Sequence, residues 1–191
     1  MNSEEIAIIQ RAQQGDAGAF ELLVTKFDAQ VMQIAYSMVG DKNDAQDVYQ
    51  ETFLRAFKGI NSFRFQSSFR TWLTRIVINC AKDFRQSRFF RLRLGYREQF
   101  ENADPEIKDS SPDQEREILS KEIDQMIKTG MQKLSHRERA TFTLRHFHGF
   151  KIKEIADLLQ CAEGTAKNYL FRATQKLQKH LAPYYADRNG D

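Results

Sequence analysis

Residues Phe69–Asn79 read FRTWLTRIVIN and contain the only tryptophan of the chain, Trp72. Apolar residues recur at helical spacing from Leu73 through Val77 to Phe84, which predicts a helix with one buried stripe. Polar side chains at spacings of four and three residues share a different face of this helix: Arg75, Asn79 and Lys82. The stretch therefore predicts a helix that packs on a core with one face and contacts another molecule with the other.

The composition favours a helical protein. The chain has 191 residues, of which 41% are hydrophobic and 29% charged, and it contains few residues that break helices (Gly 9, Pro 3). No apolar run reaches the roughly 18 residues of a membrane-spanning helix, and acids near the N-terminus do not fit a signal peptide. We therefore expect a cytoplasmic protein without direct membrane insertion.

The charge of the chain changes sign along the sequence, although the formal net charge is only +3. Residues 61–93 are rich in arginine and lysine, which Asp83 alone opposes, whereas residues 101–124 are mainly acidic. A basic block beside an acidic one predicts a surface for a polyanion followed by a solvated connector.

Cap and turn residues divide the first part of the chain into helices. We expect a first helix capped by Ser3, and a second helix between Asp16 and Gly40. A third helix follows a short polar turn and ends near Gly59. The FRTWLTRIVIN helix comes after a Ser- and Phe-rich loop and is expected to end near Arg88.

The helical pattern fails from residue 95 to residue 113, where prolines, serines and acids are typical of a linker. A second helical group begins near Gln114, and Ser135 with Glu138 is a capping-box signal within it. We predict an all-α fold of two small helical domains, residues 1–94 and 114–184, joined by a flexible acidic linker over residues 95–113.

The C-terminal group has the pattern of a helix-turn-helix. Lys151–Leu159 predicts a short helix, residues 160–164 a turn, and Thr165–Leu177 a second helix with several basic and amide side chains. Such a helix fits the major groove of DNA, where its N-terminal residues can reach base edges. The alternative is a helical hairpin without a DNA-binding role.

The N-terminal group suits opened DNA, which needs aromatic platforms for unstacked bases and cations for the backbone. Phe63, Phe65, Phe69 and Trp72 are candidate platforms, and we expect Trp72 to be only partly buried. Asn79 could read a base edge through paired hydrogen bonds. The alternative is that several of these aromatics, Phe69 above all, belong to the core.

The preceding helix, DAQDVYQETFLRAF over residues 44–57, has a different character. Its apolar stripe runs to Phe57, while acids, an amide and one leucine lie on another face: Asp47, Gln50, Glu51 and Leu54. This face is poor for nucleic acid and suits a basic groove on a protein. The alternative is an ordinary solvated face.

The order of these motifs resembles the extracytoplasmic-function group of bacterial RNA polymerase sigma factors. The resemblance rests on residues 44–57, on FRTWLTRIVINCAKDFR at 69–85, on the acidic linker, and on the helix-turn-helix segment at 144–173. It covers the chain from about Ile8 to Leu181. It implies a sigma-two-like domain and a sigma-four-like domain, which act in promoter recognition and strand opening.

The resemblance implies a role for each surface. Docking on the beta-prime clamp helices of core polymerase falls to Asp47, Gln50, Glu51 and Leu54. The loop 61–68 captures a flipped minus-ten base, and minus-ten DNA binding falls to Phe63, Arg64, Phe65, Ser67, Ser68, Trp72, Arg75, Asn79, Lys82 and Arg85. Minus-thirty-five binding falls to Glu163, Gly164, Thr165, Lys167, Asn168, Tyr169 and Arg172.

The partners implied by the resemblance are core RNA polymerase, including its beta flap, promoter DNA and an anti-sigma factor. The chain departs from the common family pattern over residues 164–174, because Tyr169 and Thr174 replace two usual arginines. Fewer phosphate contacts would weaken the salt dependence of binding by roughly one unit of slope per contact. Gln160 also stands where glycine is common.

Two other function classes compete with this interpretation. A stand-alone helix-turn-helix regulator explains the C-terminal motif but leaves the N-terminal motifs unexplained. An enzyme or metalloprotein has little support, since His146 and His148 lie on different helix faces and no phosphate-binding or nucleophile motif occurs. Cys80 and Cys161 are expected to be buried free thiols. We therefore expect no catalytic residue, metal, cofactor or small-molecule substrate.

Overall fold

The computed structural model describes residues 2–93, 123 and 125–188. In these ranges every regular element is a helix, which confirms the all-α prediction. The elements are α1 (Ser3–Gln13), α2 (Ala17–Val39), α3 (Lys42–Gly59), a 3-10 turn (Ile60–Ser62), α4 (Phe69–Arg93), α5 (125–132), α6 (His136–His146), α7 (Ile152–Leu159) and α8 (Glu163–Arg188). The predicted linker, 95–113, lies outside the described residues. None of the described helices is both long and apolar enough to cross a membrane.

Helix α1 starts at Ser3 as predicted, but its predicted cap is wrong, and α3 starts two residues earlier than predicted. The side chain of Asn2, not Ser3, caps α1 by accepting a hydrogen bond from the backbone N–H of Glu5 at 2.9 Å. Asp41 caps α3 in the same way, so the predicted polar turn is already the first turn of this helix. In both helices the side-chain oxygen of the cap, Asn2 or Asp41, lies where the first free backbone N–H groups are.

Helix α4 extends to Arg93, five residues beyond the predicted end at Arg88. Residues 89–93 contain no glycine or proline, so the helix has no local reason to end at Arg88. The Arg88 guanidinium also forms an ion pair with Asp44 of α3. This contact ties the later turns of α4 to the start of α3.

The N-terminal bundle, α1–α4, is built around α2, which packs against α1, α3 and α4. Leu23, Ile34 and Met38 of α2 are fully buried, and so are Leu73 and Val77 of α4. The FRTWLTRIVIN helix thus buries the stripe that its sequence predicts. The remaining faces of α3 and α4 are left for other contacts.

The C-terminal bundle, α5–α8, encloses a smaller core, in which α6 and α7 pack on α8. Ser135 and Glu138 form the predicted capping box: the Glu138 N–H donates to Ser135 Oγ at 3.3 Å, and the Ser135 N–H donates to Glu138 Oε2 at 2.9 Å. Lys176 of α8 donates to the same carboxylate at 2.7 Å. The start of α6 is therefore held by its own capping box and by the bond from Lys176 of α8.

The two bundles pack on each other in a closed arrangement. The Arg139 side chain of α6 is 1% exposed and donates from Nη1 to the carbonyl oxygen of Met38 at the end of α2, at 2.5 Å. Arg70 donates to the carbonyl oxygen of His148 at 2.6 Å, and its guanidinium lies 4.5 Å from the Phe150 ring centroid. Buried apolar residues of both bundles form one continuous cluster.

Candidate nucleic-acid interface

The loop over residues 61–68, between α3 and α4, is anchored at both ends. The Ser62 hydroxyl donates to the carbonyl oxygen of Gly59 at 2.6 Å, and the Ser68 and Thr71 hydroxyls lie 2.8 Å apart. The Ser68 hydroxyl also accepts from the Thr71 N–H at 3.0 Å, as a cap for α4. Between these anchors Phe65 adopts a left-handed backbone with φ of +56°, which is unfavourable for a bulky residue.

Aromatic rings of this loop and of α4 form one cluster. The Phe63 ring centroid lies 4.9 Å from that of Phe65, 5.6 Å from that of Phe69 and 5.4 Å from that of Trp72. Phe69 is 1% exposed, so it belongs to the core and is not a stacking platform. Trp72 is half-buried, as expected. Phe63 is 4% exposed, so in this shape of the loop it is a core residue and not the stacking platform that the sequence predicted.

The polar face of α4 is exposed at each of its three predicted positions, Arg75, Asn79 and Lys82. The Trp72 ring lies at the start of this line, next to the loop. Between the loop, α4 and α7 there is a cleft of about 630 Å³. The cleft is lined by Ser62, Phe63, Arg64, Gln66, Ser67, Ser68, Thr71, Trp72, Arg75, Glu154 and Asp157.

The C-terminal bundle forms one wall of this cleft. Arg75 Nη2 donates to the carbonyl oxygen of Asp157 in α7 at 3.1 Å, and Glu154 lies on the same wall. A cation of the predicted minus-ten surface is therefore bonded within the chain in the closed arrangement. Helix α7 therefore covers part of the predicted minus-ten surface beside the loop.

Arg85 is separated from the other predicted minus-ten residues. It is half-buried, burial lowers its pKa, and its Nη1 finds no hydrogen-bond partner among the described residues. Arg85 contributes, together with Arg139, to the electrostatic field at His136 on α6. The structure therefore places Arg85 toward the C-terminal bundle rather than beside Asn79.

His136 and Arg139 titrate abnormally because this region is buried and cationic. Burial, and then the charges of Arg85, Arg139, Lys82 and Arg137, lower the pKa of His136 to about 4. Burial and Arg85 lower the pKa of Arg139 to about 10. The Nε and Nη2 atoms of Arg139 have no hydrogen-bond partner in the described part of the chain. Such desolvated cations oppose the closed packing.

On α3, the predicted docking residues Asp47, Gln50 and Leu54 are exposed, and Glu51 is half-buried. Phe57 is 50% exposed, so its assignment to the buried stripe is wrong. Its position one turn after Leu54, which is 48% exposed, extends the apolar part of this surface. Sequence reasoning missed Phe57 because its spacing also fits the buried stripe.

The carboxylate of Glu51 is engaged in a surface ion-pair network. Arg55 Nε donates to Glu51 Oε1 at 2.6 Å, and Arg55 Nη1 donates to Asp83 Oδ2 of α4 at 2.7 Å. These hydrogen bonds, first that to Asp83 and then that to Glu51, raise the pKa of Arg55. The network joins α3 to α4. It also pairs Asp83, the one acid within the basic residues 61–93, with Arg55.

The helix-turn-helix is present, with a shorter turn than predicted. Helix α7 ends with Gln160 in a left-handed backbone, φ +52°, and α8 begins at Glu163 rather than Thr165. Glu163 and Gly164 therefore belong to the first turn of α8. Ala156 and Ala166 are buried where small residues permit α7 and α8 to approach.

The N-terminal half of α8 presents most of its predicted minus-thirty-five residues to solvent. Glu163, Gly164, Lys167, Asn168 and Arg172 are exposed, whereas Thr165 and Tyr169 are half-buried. The Arg137 guanidinium of α6 lies 5.9 Å from the Tyr169 ring centroid. The Thr174 hydroxyl donates to the carbonyl oxygen of Leu170 at 3.0 Å and thus bonds within its own helix.

The remaining candidate groups do not form a reactive centre. Cys80 is buried, as expected, and burial raises the pKa of its thiol, while Cys161 is only half-buried. Among residues 2–93, 123 and 125–188 no three His, Cys, Asp or Glu side chains are grouped so that they could hold a metal ion.

Comparisons with known proteins agree with this geometry. Residues 23–89 match the family Sigma-70 region 2, and residues 124–177 match the family Sigma-70, region 4. The RNA polymerase sigma-H factor of Pseudomonas aeruginosa is 36% identical over 181 residues, which cover 92% of this chain and 93% of that protein. The ECF RNA polymerase sigma-E factor of Haemophilus influenzae is 34% identical and covers 93% and 95%.

Two solved structures share the fold. The sigma factor RpoE of Bartonella quintana, in complex with the anti-sigma factor NepR, has a TM-score of 0.64 at 23% identity and covers 85% of this chain and 96% of its own. CnrH, in complex with the cytosolic domain of CnrY, has a TM-score of 0.68 at 22% identity and covers 95% and 99%.

An all-helical chain that combines a basic, aromatic helix with a helix-turn-helix, and that matches sigma regions 2 and 4, is a bacterial transcription initiation factor. The chain belongs to the extracytoplasmic-function sigma factors of RNA polymerase, which confirms the resemblance and disfavours a stand-alone regulator. Sigma factors as a class are DNA-binding initiation factors rather than enzymes.

Proposed function

We propose that the two bundles divide promoter recognition between them. The loop over 61–68 and the exposed face of α4 bind the opened minus-ten strand, and the N-terminal half of α8 binds the minus-thirty-five duplex. The observation that carries the proposal is the exposed line of Arg75, Asn79 and Lys82 beside Trp72 and the loop cleft. A cation, an amide and an aromatic ring in one line suit an unstacked strand.

Within this surface Asn79 reads a base edge, since an amide can form paired hydrogen bonds that distinguish bases. Arg64, Arg75 and Lys82 bind the backbone, and Ser67 and Ser68 contact the captured base. Arg75 becomes available when its bond to the Asp157 carbonyl opens. Arg85 also becomes available only in the open arrangement, because it faces α6 in the closed one.

Helix α3 docks on core polymerase through Asp47, Gln50, Glu51 and Leu54, joined by Phe57. Exposed acids beside two half-exposed apolar side chains suit the basic groove of a protein and repel DNA. This assignment leaves the exposed face of α4 with Arg75, Asn79 and Lys82 for the promoter. The clamp helices of the beta-prime subunit are the proposed partner, and the beta flap is the proposed partner of the C-terminal bundle.

The domain boundaries, 1–94 and 114–184 with a linker over 95–113, are part of the proposal and are supported by the two family matches. We also propose that an anti-sigma factor regulates the chain, as the relatives solved in complexes suggest by their fold. The protein carries out no catalysis of its own, and it works in the cytoplasm, where polymerase and promoter DNA are found.

The test combines association with transcription. Core polymerase is mixed with the chain, and transcription starts are mapped in cells that overproduce it. We expect a stable complex and new starts preceded by shared minus-ten and minus-thirty-five sequences. Failure to associate with core polymerase, together with tight duplex binding by the chain alone, would instead favour a stand-alone regulator.

A further inference from the structure

A side chain of α1 holds the loop over residues 61–68 from behind. Gln13 Nε2 donates to the carbonyl oxygens of Ile60 and Phe63, each at 2.9 Å. The side-chain amide nitrogen of Gln13 carries two N–H groups, whereas the amide oxygen can only accept. The nitrogen, and not the oxygen, must therefore face the two carbonyls. The Ile60 carbonyl also accepts from the Phe63 N–H at 3.0 Å. One amide therefore spans the turn at which α3 ends and the loop begins.

The position of Gln13 is itself fixed by the corner between α1 and α2. Gln13 is the last residue of α1, and the preceding Ala12 is buried. Arg11 donates from Nε and Nη2 to Asp16 Oδ2, at 2.9 and 2.6 Å, which closes the corner. The amide is thus presented to the loop from a rigid helix end.

The carbonyls that Gln13 holds determine where the aromatic cluster lies. Phe63 is buried, and its ring contacts those of Phe65, Phe69 and Trp72. Phe65 keeps a left-handed backbone that an aromatic residue adopts only when surrounding contacts enforce it. The loop therefore needs a support outside its own sequence, and Gln13 supplies two hydrogen bonds to it.

We propose that Gln13 is a positioning residue for minus-ten recognition, which sets the shape of the capture loop without touching DNA. This inference rests on the proposed function of the loop. A loop that is held in its binding shape avoids the ordering cost that a free loop incurs on binding. Loss of the brace is therefore expected to weaken capture of the strand while leaving the α3 and α8 surfaces intact.

The experiment compares two neighbouring glutamines. Gln13→Leu removes both donors, and Gln13→Glu places carboxylate oxygens against the two carbonyls. Gln14→Leu and Gln14→Glu make the same changes at the next residue, whose side chain is exposed. Each variant, in complex with core polymerase, is titrated with a single-stranded non-template oligonucleotide from a promoter mapped as above.

We expect at least about fivefold weaker oligonucleotide binding for both Gln13 variants, since each lost hydrogen bond contributes about 0.5–1.5 kcal/mol. Core polymerase affinity is expected to stay within about twofold. Binding equal to that of the Gln14 variants would overturn the proposal. Parallel loss of polymerase affinity and oligonucleotide affinity would also overturn it, because it would indicate a general folding role.

Fluorescence supplies a second readout that does not depend on DNA. Trp72 is the only tryptophan, and its ring centroid lies 5.4 Å from that of Phe63. We expect acrylamide to quench Trp72 more strongly in the Gln13 variants than in the Gln14 variants, and equal quenching would refute the brace. If the wild-type complex failed to bind the oligonucleotide, the proposed function of the loop would fail, and with it the role of Gln13 in recognition.

Discussion

The two proposed DNA-binding surfaces of this sigma factor differ in how far the rest of the chain covers them. On α8, the exposed side chains of Lys167, Asn168 and Arg172 face solvent in the closed arrangement. On the N-terminal bundle, α7 forms a wall of the cleft beside the loop, and Arg75 is bonded to the Asp157 carbonyl. The same helix-turn-helix thus leaves the proposed minus-thirty-five surface open and covers part of the proposed minus-ten surface.

The closed packing is therefore expected to act mainly on strand capture. A surface built from one helix face remains usable whenever that face is exposed. A surface built from a loop and a helix needs the loop shape, the cations and an unobstructed approach together. We therefore expect duplex binding and single-strand binding to respond differently to the same change.

Acid should break the closed packing, which is the largest effect we expect. The pKa of His136 is lowered to about 4 by burial and by surrounding cations. Closed packing with a neutral His136 keeps its full stability above the ordinary histidine pKa of about 6.5. That stability is lost as the pH falls toward 4, because His136 must then take up a proton. The contribution amounts to roughly 3 kcal/mol, or about 300-fold in the closed-to-open ratio, of which about 30-fold is lost by pH 5. Small-angle scattering at pH 7.5 and pH 5 measures the opening as a larger radius.

Variants separate His136 from the other histidines in this test. His136→Gln should reduce the acid-induced expansion, whereas His146→Gln, at an exposed position, should not. Burial and the charge of Arg70 also lower the pKa of His148. Part of the acid-induced expansion should therefore remain in the His136→Gln variant. A radius that does not change with pH in the wild-type chain would contradict the closed packing as described.

Asn79→Ala is expected to separate the two surfaces. Promoter-specific transcription should fall about tenfold or more, since a paired amide–base contact contributes about 1–3 kcal/mol of discrimination. Association with polymerase and duplex binding by α8 should persist. Gln86→Ala, another exposed amide of α4, is the control. If polymerase binding fell together with transcription, Asn79 would have a folding role.

Glu51→Lys tests the proposed docking surface on α3. We expect polymerase affinity to fall about fivefold, because the new charge opposes a basic groove and the Arg55 network reverses sign. The fold should tolerate the change, as exposed ion pairs contribute about 1 kcal/mol or less. Gln46→Lys, exposed on the same helix, is the control for charge. Unchanged affinity in a binding assay would remove this part of α3 from the docking surface.

Changes on α8 should give the smallest effect, because single phosphate contacts contribute little each. Arg172→Ala should lower the slope of log affinity against log salt by about one, and Tyr169→Arg should raise it by about one. Duplex titrations over a range of salt concentrations measure both slopes. Lys179→Ala, exposed further along α8, serves as the control. Equal slopes for Tyr169→Arg and the wild type would show that this position does not reach the backbone.

The sequence predicts the helices, the buried stripe of α4 and the family, because these depend on periodicity and on local motifs. The spacing of Leu73 and Val77 against Arg75 and Asn79 already separates core from surface. The cap of α1 does not follow from the sequence, since Asn2 and Ser3 are equally good caps by residue type. Only the geometry decides which side-chain oxygen reaches the free N–H group.

Long-range contacts could not be predicted. The sequence groups Arg85 with the other cations of α4, but the structure turns it toward α6, and it leaves Phe57 exposed. Gln13 gave no signal at all, because its partners are backbone carbonyls 47 and 50 residues away. Every residue has the same backbone carbonyl, so a sequence pattern cannot reveal which side chain bonds to a particular one.

The bond from Arg139 to the Met38 carbonyl joins residues 101 positions apart in the chain. During synthesis the N-terminal bundle leaves the ribosome well before α6, and domains generally fold in that order. A nascent chain therefore displays its α4 surface without the wall that α7 later provides. The closed arrangement begins only when α6 and α7 have been made, so newly made chains pass through an interval in which α7 does not cover the surface of α4.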